Sequence, residues 1–227
     1  MQASRRDAKK KAAVIDSLLV KCYGDDKVVP NDDPLDTLVE TILSQNTTDL
    51  NSHRSYLALK KEYPTWESME CEDSARIAKI IRSGGLAEIK AHRILDALEY
   101  IRSERGELEL GFLRQMTPSG ADRWLAGMKG VGPKTRAIVL LFSLGMPAFP
   151  VDTHVHRVSR RIGLISEKTS REPAQEELAK IVPLRRFYPF HINLIEHGRA
   201  ICRSQNPRCE QCQISHLCDH HQSRFEA

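Results

Sequence analysis

Apolar residues recur at steps of three and four over residues 12–23, 35–43, 75–81 and 90–101, the spacing that lines one face of an α-helix. No segment keeps the apolar/polar alternation of a half-buried strand. The run 137–142 is apolar on most sides, as a buried helix is, and Gly145, Pro147 and Pro150 end that helix near Leu144. Beyond the break, Val155, Val158 and Ile162 resume helical spacing, and Asp152 stands where a cap would begin that helix. The pattern predicts an all-α chain. It holds no repeat of fixed period, no low-complexity segment and no apolar run long enough to cross a membrane.

Between two of these helices lies Gly130-Val131-Gly132-Pro133-Lys134-Thr135. Leu125, Met128 and Val131 are apolar anchors around a tight Gly-x-Gly turn, and Pro133 suits the first helical position, where a missing N–H costs nothing. The segment reads as helix, hairpin, helix. Such a hairpin presents backbone N–H groups at the positive end of the second helix, an arrangement that takes an anion such as a DNA phosphate without reading base sequence. Lys134 is a candidate nucleophile and Asp152 a candidate carboxylate partner, with helix capping as the alternative role for Asp152. A helix over 133–144 is about 18 Å long, and the residues 145–151 reach about 23 Å when extended, so the chain can return Asp152 to the level of Lys134.

The six cysteines divide unequally. Cys202, Cys209, Cys212 and Cys218 form a C-x6-C-x2-C-x5-C cluster, while Cys22 and Cys71 stand alone in helical surroundings and are expected to be buried apolar residues. The chain starts Met1-Gln2-Ala3-Ser4-Arg5-Arg6, basic and followed by no long apolar run, so neither a secretory signal nor a disulfide framework is expected. The cysteine spacing admits zinc, although zinc sites more often pair two C-x2-C knuckles, and it admits an iron–sulfur cluster. A formal charge of +4 and a pI near 8.7 are only mildly basic, so DNA binding has to come from local patches. One candidate patch is Arg5, Arg6, Lys9, Lys10 and Lys11; a solvated helix face is the alternative. At 227 residues and 41% hydrophobic content the chain can hold one large domain or two modest ones.

From about residue 12 to residue 219 the chain resembles the helix-hairpin-helix DNA glycosylases, most closely endonuclease III. Beside the hairpin and Val151-Asp152-Thr153-His154, the resemblance rests on Leu43-Ser44-Gln45-Asn46-Thr47-Thr48-Asp49, on Gly85-Leu86 with Lys90-Ala91, and on His197-Gly198-Arg199 leading into Cys202. It implies two helical domains flanking a DNA-binding cleft, one over 27–138 with the hairpin, the other combining 1–26 with 139–227. It further implies a [4Fe–4S] cluster on the four C-terminal cysteines. Lys134 and Asp152 are then the catalytic pair of a bifunctional base-excision-repair glycosylase and abasic-site lyase that removes damaged or modified pyrimidines through a lysine Schiff base. Gly130 and Gly132 would bind DNA, Leu86 would be a wedge filling the gap left by the flipped base, and Arg203 and Arg208 would meet the backbone from the cluster loop.

Two departures bear on substrate. Asn46 stands where endonuclease III has a glutamine, and Glu40 aligns with the catalytic carboxylate of adenine glycosylases, which lack a lysine at position 134. Glu40 is therefore a candidate pocket residue. Asn46 and residues 148–152 are also similar to the plant 5-methylcytosine glycosylases, although His154 is not their residue. A monofunctional mismatch glycosylase for uracil, thymine or adenine stays open as the alternative, as does a non-catalytic DNA-binding iron–sulfur protein. The expected partner is double-stranded DNA with damaged or abasic nucleotides, bound by a monomer. The expected compartment is a reducing one: cytoplasm with nucleoid association, or the nucleus or an organelle in a eukaryote.

Overall fold

The structure, a computed structural model, describes residues 5–25 and 33–223, and all regular elements among them are helical. The chain divides into two compact units, 30–146 and 1–29 with 147–227. The expected border at residue 27 lies outside the described residues; the other falls at 146 where 138 was expected. The helix beyond the hairpin explains the difference, because it runs on as a π-helical turn, Val139–Ser143, whose Ser143 hydroxyl donates to the buried Thr37 hydroxyl at 2.6 Å.

The 30–146 unit contains α2 (Pro34–Leu43), α3 (Asp49–Glu62), α4 (Ser74–Ile80), α5 (Ala87–Arg105), α6 (Pro118–Ala126) and α7 (Pro133–Ile138). Helix α2 is its centre: Leu35, Leu38, Val39, Ile42 and Leu43 are fully buried, and the helix packs on α3, α5 and α7. Each such leucine or isoleucine contributes about 1.5–3 kcal/mol by leaving water. The helices start where polar caps dictate. Asp33 accepts from Leu35 N–H, Thr48 from Asn51, Asp73 from Ala75 and Thr117 from Gly120, with Pro34, Pro118 and Pro133 in first-turn positions.

The other unit holds α1 (Arg5–Tyr23), α8 (Thr153–Arg161), α9 (Arg171–Ile181), α10 (Phe187–Ala200) and the short α11 (Asp219–Gln222). Helix α10 packs on both α1 and α8, and Arg186 at its start grips Asp16 of α1 through two hydrogen bonds of 2.6 and 3.0 Å. No helix of the described residues is long and apolar enough to cross a membrane.

The cysteine expectation fails for Cys22 and Cys71, which are exposed. Cys22 falls in the last turn of α1, whose buried positions are Ala12, Ile15 and Leu19, and Cys71 in the turn after the short helix Glu67–Met69. The basic start is the first two turns of α1. Arg5, Arg6, Lys9 and Lys10 face solvent, and Lys11 pairs with Asp219.

Candidate active site

Helices α6 and α7 pack on one another across the hairpin between them. Leu125, Met128 and Val131 are buried under the turn, and Val131 N–H donates to the Met128 carbonyl at 3.2 Å. Arg136 of α7 reaches back to Asp122 of α6 at 2.8 Å and to the Val131 carbonyl at 3.4 Å. Gly130 has φ +82, and a Cβ there would lie 2.9 Å from Arg93 Cγ, so the turn requires glycine on both backbone and packing grounds. Gly132 differs: it caps α7 with φ −79, and a Cβ on it would meet nothing within 4 Å. The Cβ direction of Gly132 is therefore open. Lys134, the second residue of α7 and two residues after Gly132, is half-buried.

Asp152 belongs to the other unit and is the N-cap of α8, its Oδ1 accepting from Val155 N–H at 2.7 Å. That bond fixes the orientation of the carboxylate. The chain leading to it is anchored by Phe149, which is 1% exposed and stacks edge-on against Phe187, and by His191, whose Nδ1 donates to the Pro150 carbonyl at 3.0 Å. At the second position of α8, His154 Nδ1 accepts from Arg157 at 3.1 Å, and burial holds its imidazole below the ordinary value.

Asn46 and Leu86 are both exposed, and both have left-handed backbone, φ 51 and φ 49. Non-glycine residues seldom adopt that region, and holding one there costs of order 1–3 kcal/mol. Leu86 caps α5 without a side-chain bond and keeps 48% of its surface exposed. The structure brings the two loops together through a residue the sequence did not single out for a role: Lys90 is 1% exposed and donates to the carbonyls of Leu43 at 2.6 Å and Gly84 at 2.8 Å. Arg93, one turn further on, donates to Gln45 and so links the Asn46 loop to the hairpin it packs against. Glu40 is partly exposed on α2 and accepts from His53 Nδ1 of α3 at 3.3 Å.

Cys202, Cys209, Cys212 and Cys218 line one pocket together with Arg161 and His197. His197 is 3% exposed and burial pushes its pKa down to about 4. Its Nδ1 accepts from Tyr23 at 3.1 Å, which leaves Nε2–H facing Cys212 Sγ at 3.6 Å. Arg161 donates to Cys202 Sγ at 3.4 Å. Burial, and then the proximity of the other three cysteines, pushes the Cys212 thiol up to about 11. Among the described residues no group of three or more His, Cys, Asp or Glu side chains stands at metal-binding geometry. The four thiols of the pocket nevertheless suit a soft metal centre, and a bound cation would offset the cost of the thiolates. Arg203 and Arg208 are exposed on the loop between Cys202 and Cys209.

Residues 39–184 match the family model of the HhH-GPD superfamily of base excision DNA repair proteins, well over half of the chain. The chain belongs to that superfamily. Within it the protein is endonuclease III-like: it is 32% identical over 192 residues to endonuclease III of Thermotoga maritima, covering 85% of each chain. A putative DNA glycosylase of Arabidopsis thaliana is 38% identical over 168 residues, which are 74% of this chain and 57% of the plant protein. The solved structure of a non-covalent endonuclease III–DNA complex superposes with a TM-score of 0.82 at 28% identity, covering 96% of this chain and 99% of that one. The HhH-GPD match spans Glu40, Asn46, Leu86, the hairpin, Lys134 and Asp152, but ends before the four clustered cysteines.

Proposed function

We propose that this base-excision-repair DNA glycosylase is bifunctional, removing a damaged or modified pyrimidine from duplex DNA and then cutting the strand at the abasic site by β-elimination. The observation that carries the reading is Lys134, half-buried in the first turn of the helix that follows the Gly130–Gly132 hairpin, in a chain whose α8 is capped by Asp152. A hairpin that only docks on phosphate requires neither an amine nor a carboxylate.

In this mechanism the hairpin amides and the positive end of α7 take a backbone phosphate. Leu86 and Asn46 enter the duplex, and Arg203 and Arg208 hold the backbone from the cysteine loop. Turning the target nucleotide out of the stack costs a few kcal/mol. The neutral amine of Lys134 attacks C1′, the glycosidic bond breaks, and its electron pair leaves with the base, which takes up a proton. Opening of the sugar ring gives a Schiff base between Lys134 Nζ and C1′; loss of a proton from C2′ then expels the 3′ phosphate, and water releases the lysine. With an ordinary pKa near 10.4, fewer than about one in a thousand lysines are neutral at pH 7. Asp152 relays the ammonium proton to the departing base and, as a carboxylate again, stabilises the positive charge that develops on the sugar.

Cys202, Cys209, Cys212 and Cys218 would hold a [4Fe–4S] cluster that, when bound, ties down a tail with little core of its own. His197 and Arg161 then donate to two of its sulfur ligands.

The test is borohydride trapping on duplexes bearing an abasic site, thymine glycol, uracil opposite guanine, or adenine opposite 8-oxoguanine, with Lys134→Gln in parallel. Lysine-dependent trapping on the abasic and thymine glycol duplexes is the expected result. Equal trapping by Lys134→Gln overturns the lysine's role, and base loss without trapping marks a monofunctional enzyme.

A further inference from the structure

Lysine is almost never fully buried unless it is paired with an opposite charge. Among the described residues Lys90 is buried without one: its two bonds go to the Leu43 carbonyl, at the C-terminal end of α2, and to the Gly84 carbonyl, at the end of the short helix Arg82–Gly84. Both are helix ends whose carbonyls lack helical partners, and the end of α2 is also the negative end of its dipole. Left-handed backbone lies just beyond each carbonyl. Three residues after Leu43 stands Asn46 and two residues after Gly84 stands Leu86, the two non-glycine residues of this unit with positive φ among those described.

The packing leaves little play. Ser55, fully buried on α3, donates to the Ile81 carbonyl at 3.3 Å and bonds Ser83 at 3.0 Å. A Cβ on Gly84 would come within 2.9 Å of the Ser55 hydroxyl and 3.7 Å of Lys90 Nζ, so the turn before Leu86 is clamped between the serine and the ammonium.

We propose that Lys90 is a positioning residue: from α5 it ties the Asn46 loop and the Leu86 loop to one point and so sets the distance between the two side chains that enter the duplex. The role rests on the glycosylase reading above, but it concerns engagement of DNA and not the lysine chemistry. If it holds, Lys90 acts only through Asn46 and Leu86, and removing those side chains makes it dispensable for binding.

The experiment measures affinity for a duplex containing a tetrahydrofuran abasic analogue, which has no aldehyde for an amine to trap. Lys90→Met, nearly matched in volume, should weaken binding about tenfold in the wild-type background. In an Asn46→Ala/Leu86→Ala background the same change should alter affinity by less than about twofold. Lys90→Gln, which keeps two donors on a shorter side chain, is measured alongside, with circular dichroism as the check of fold. Unchanged affinity for both variants, or an equal loss in both backgrounds, overturns the proposal. So does failure of both variants to fold, since Lys90 is then a support of the fold itself. A wild-type protein that binds this duplex yet traps on no abasic site would remove the lyase reading while leaving the Lys90 measurement intact.

Discussion

Gly130 and Gly132, two residues apart in one hairpin, should respond in opposite ways to the same added methyl group. At Gly130 an alanine would have to hold φ near +82, a conformation that costs about 1–2 kcal/mol for an L side chain, and its Cβ would sit 2.9 Å from Arg93 Cγ. Displacing Arg93 also endangers its bond to Gln45, adding about 1 kcal/mol. The sum, roughly 2–3 kcal/mol, corresponds to a fall in melting temperature of about 4–12 °C for a chain of this size. At Gly132 the backbone is already in a region any residue adopts and the Cβ direction is empty, so alanine should change stability by no more than about 0.5 kcal/mol. The methyl group would nevertheless project from an open face of the hairpin. If that face receives a phosphate, losing one charge-assisted hydrogen bond of about 1.5–3 kcal/mol weakens DNA binding roughly 10- to 100-fold. The assay is a pair of thermal melts and fluorescence anisotropy titrations with an abasic-analogue duplex at one fixed salt concentration, because phosphate contacts are salt-dependent. Gly132→Ala that melts and binds like wild type refutes the phosphate-binding role of the hairpin.

Asp152→Asn keeps an acceptor for Val155 N–H and should leave the melting temperature unchanged, yet lower the single-turnover rate on the order of 100-fold; an active Asp152→Asn would reduce Asp152 to a helix cap. Purified protein should contain about four irons and four sulfides per chain, and Cys212→Ser should lose them; zinc in place of iron would overturn the cluster assignment. Glu70 accepts from Arg102 Nε at 2.6 Å and from its terminal nitrogen at 2.7 Å, and these bonds hold its carboxyl below the ordinary value of 4.5. The folded state therefore prefers the ionised form, and the pair's contribution is present above the ordinary value and lost as pH falls beneath it. Glu70→Gln should lower the melting temperature at neutral pH and match wild type in acid; a constant difference across the range would show that the pair does not act through charge.

The parts of this site that can be read from sequence are those where residue type itself carries the physics. Glycine at 130, a capping aspartate at 152 and four cysteines at fixed spacing each restrict what the backbone or a ligand can do, whatever surrounds them. Helix α3 shows why periodicity misses other parts. Its buried positions are Ser52, Ser55 and Leu59, so no apolar stripe marks it, although Ser55 is fully buried and helps hold the turn before Leu86. The start of α1 escapes the pattern for a related reason: its first two turns are mostly basic and meet solvent, so the apolar count begins only at Ala12.

Lys90 marks the deeper limit. By composition it is one more cation on an amphipathic helix, and only the arrival of two helix ends at the same point, from residues 43 and 84, gives its ammonium something to bind. The same convergence puts left-handed backbone at Asn46 and Leu86, residues with no intrinsic need for it. Local strain and a buried charge are each unfavourable alone. They coexist here because three separate segments hold one another, and such mutual support has no period and no motif. A surface built this way is read from sequence only as far as its individual residues are chemically unusual; its spacing becomes legible once the tertiary contacts are known.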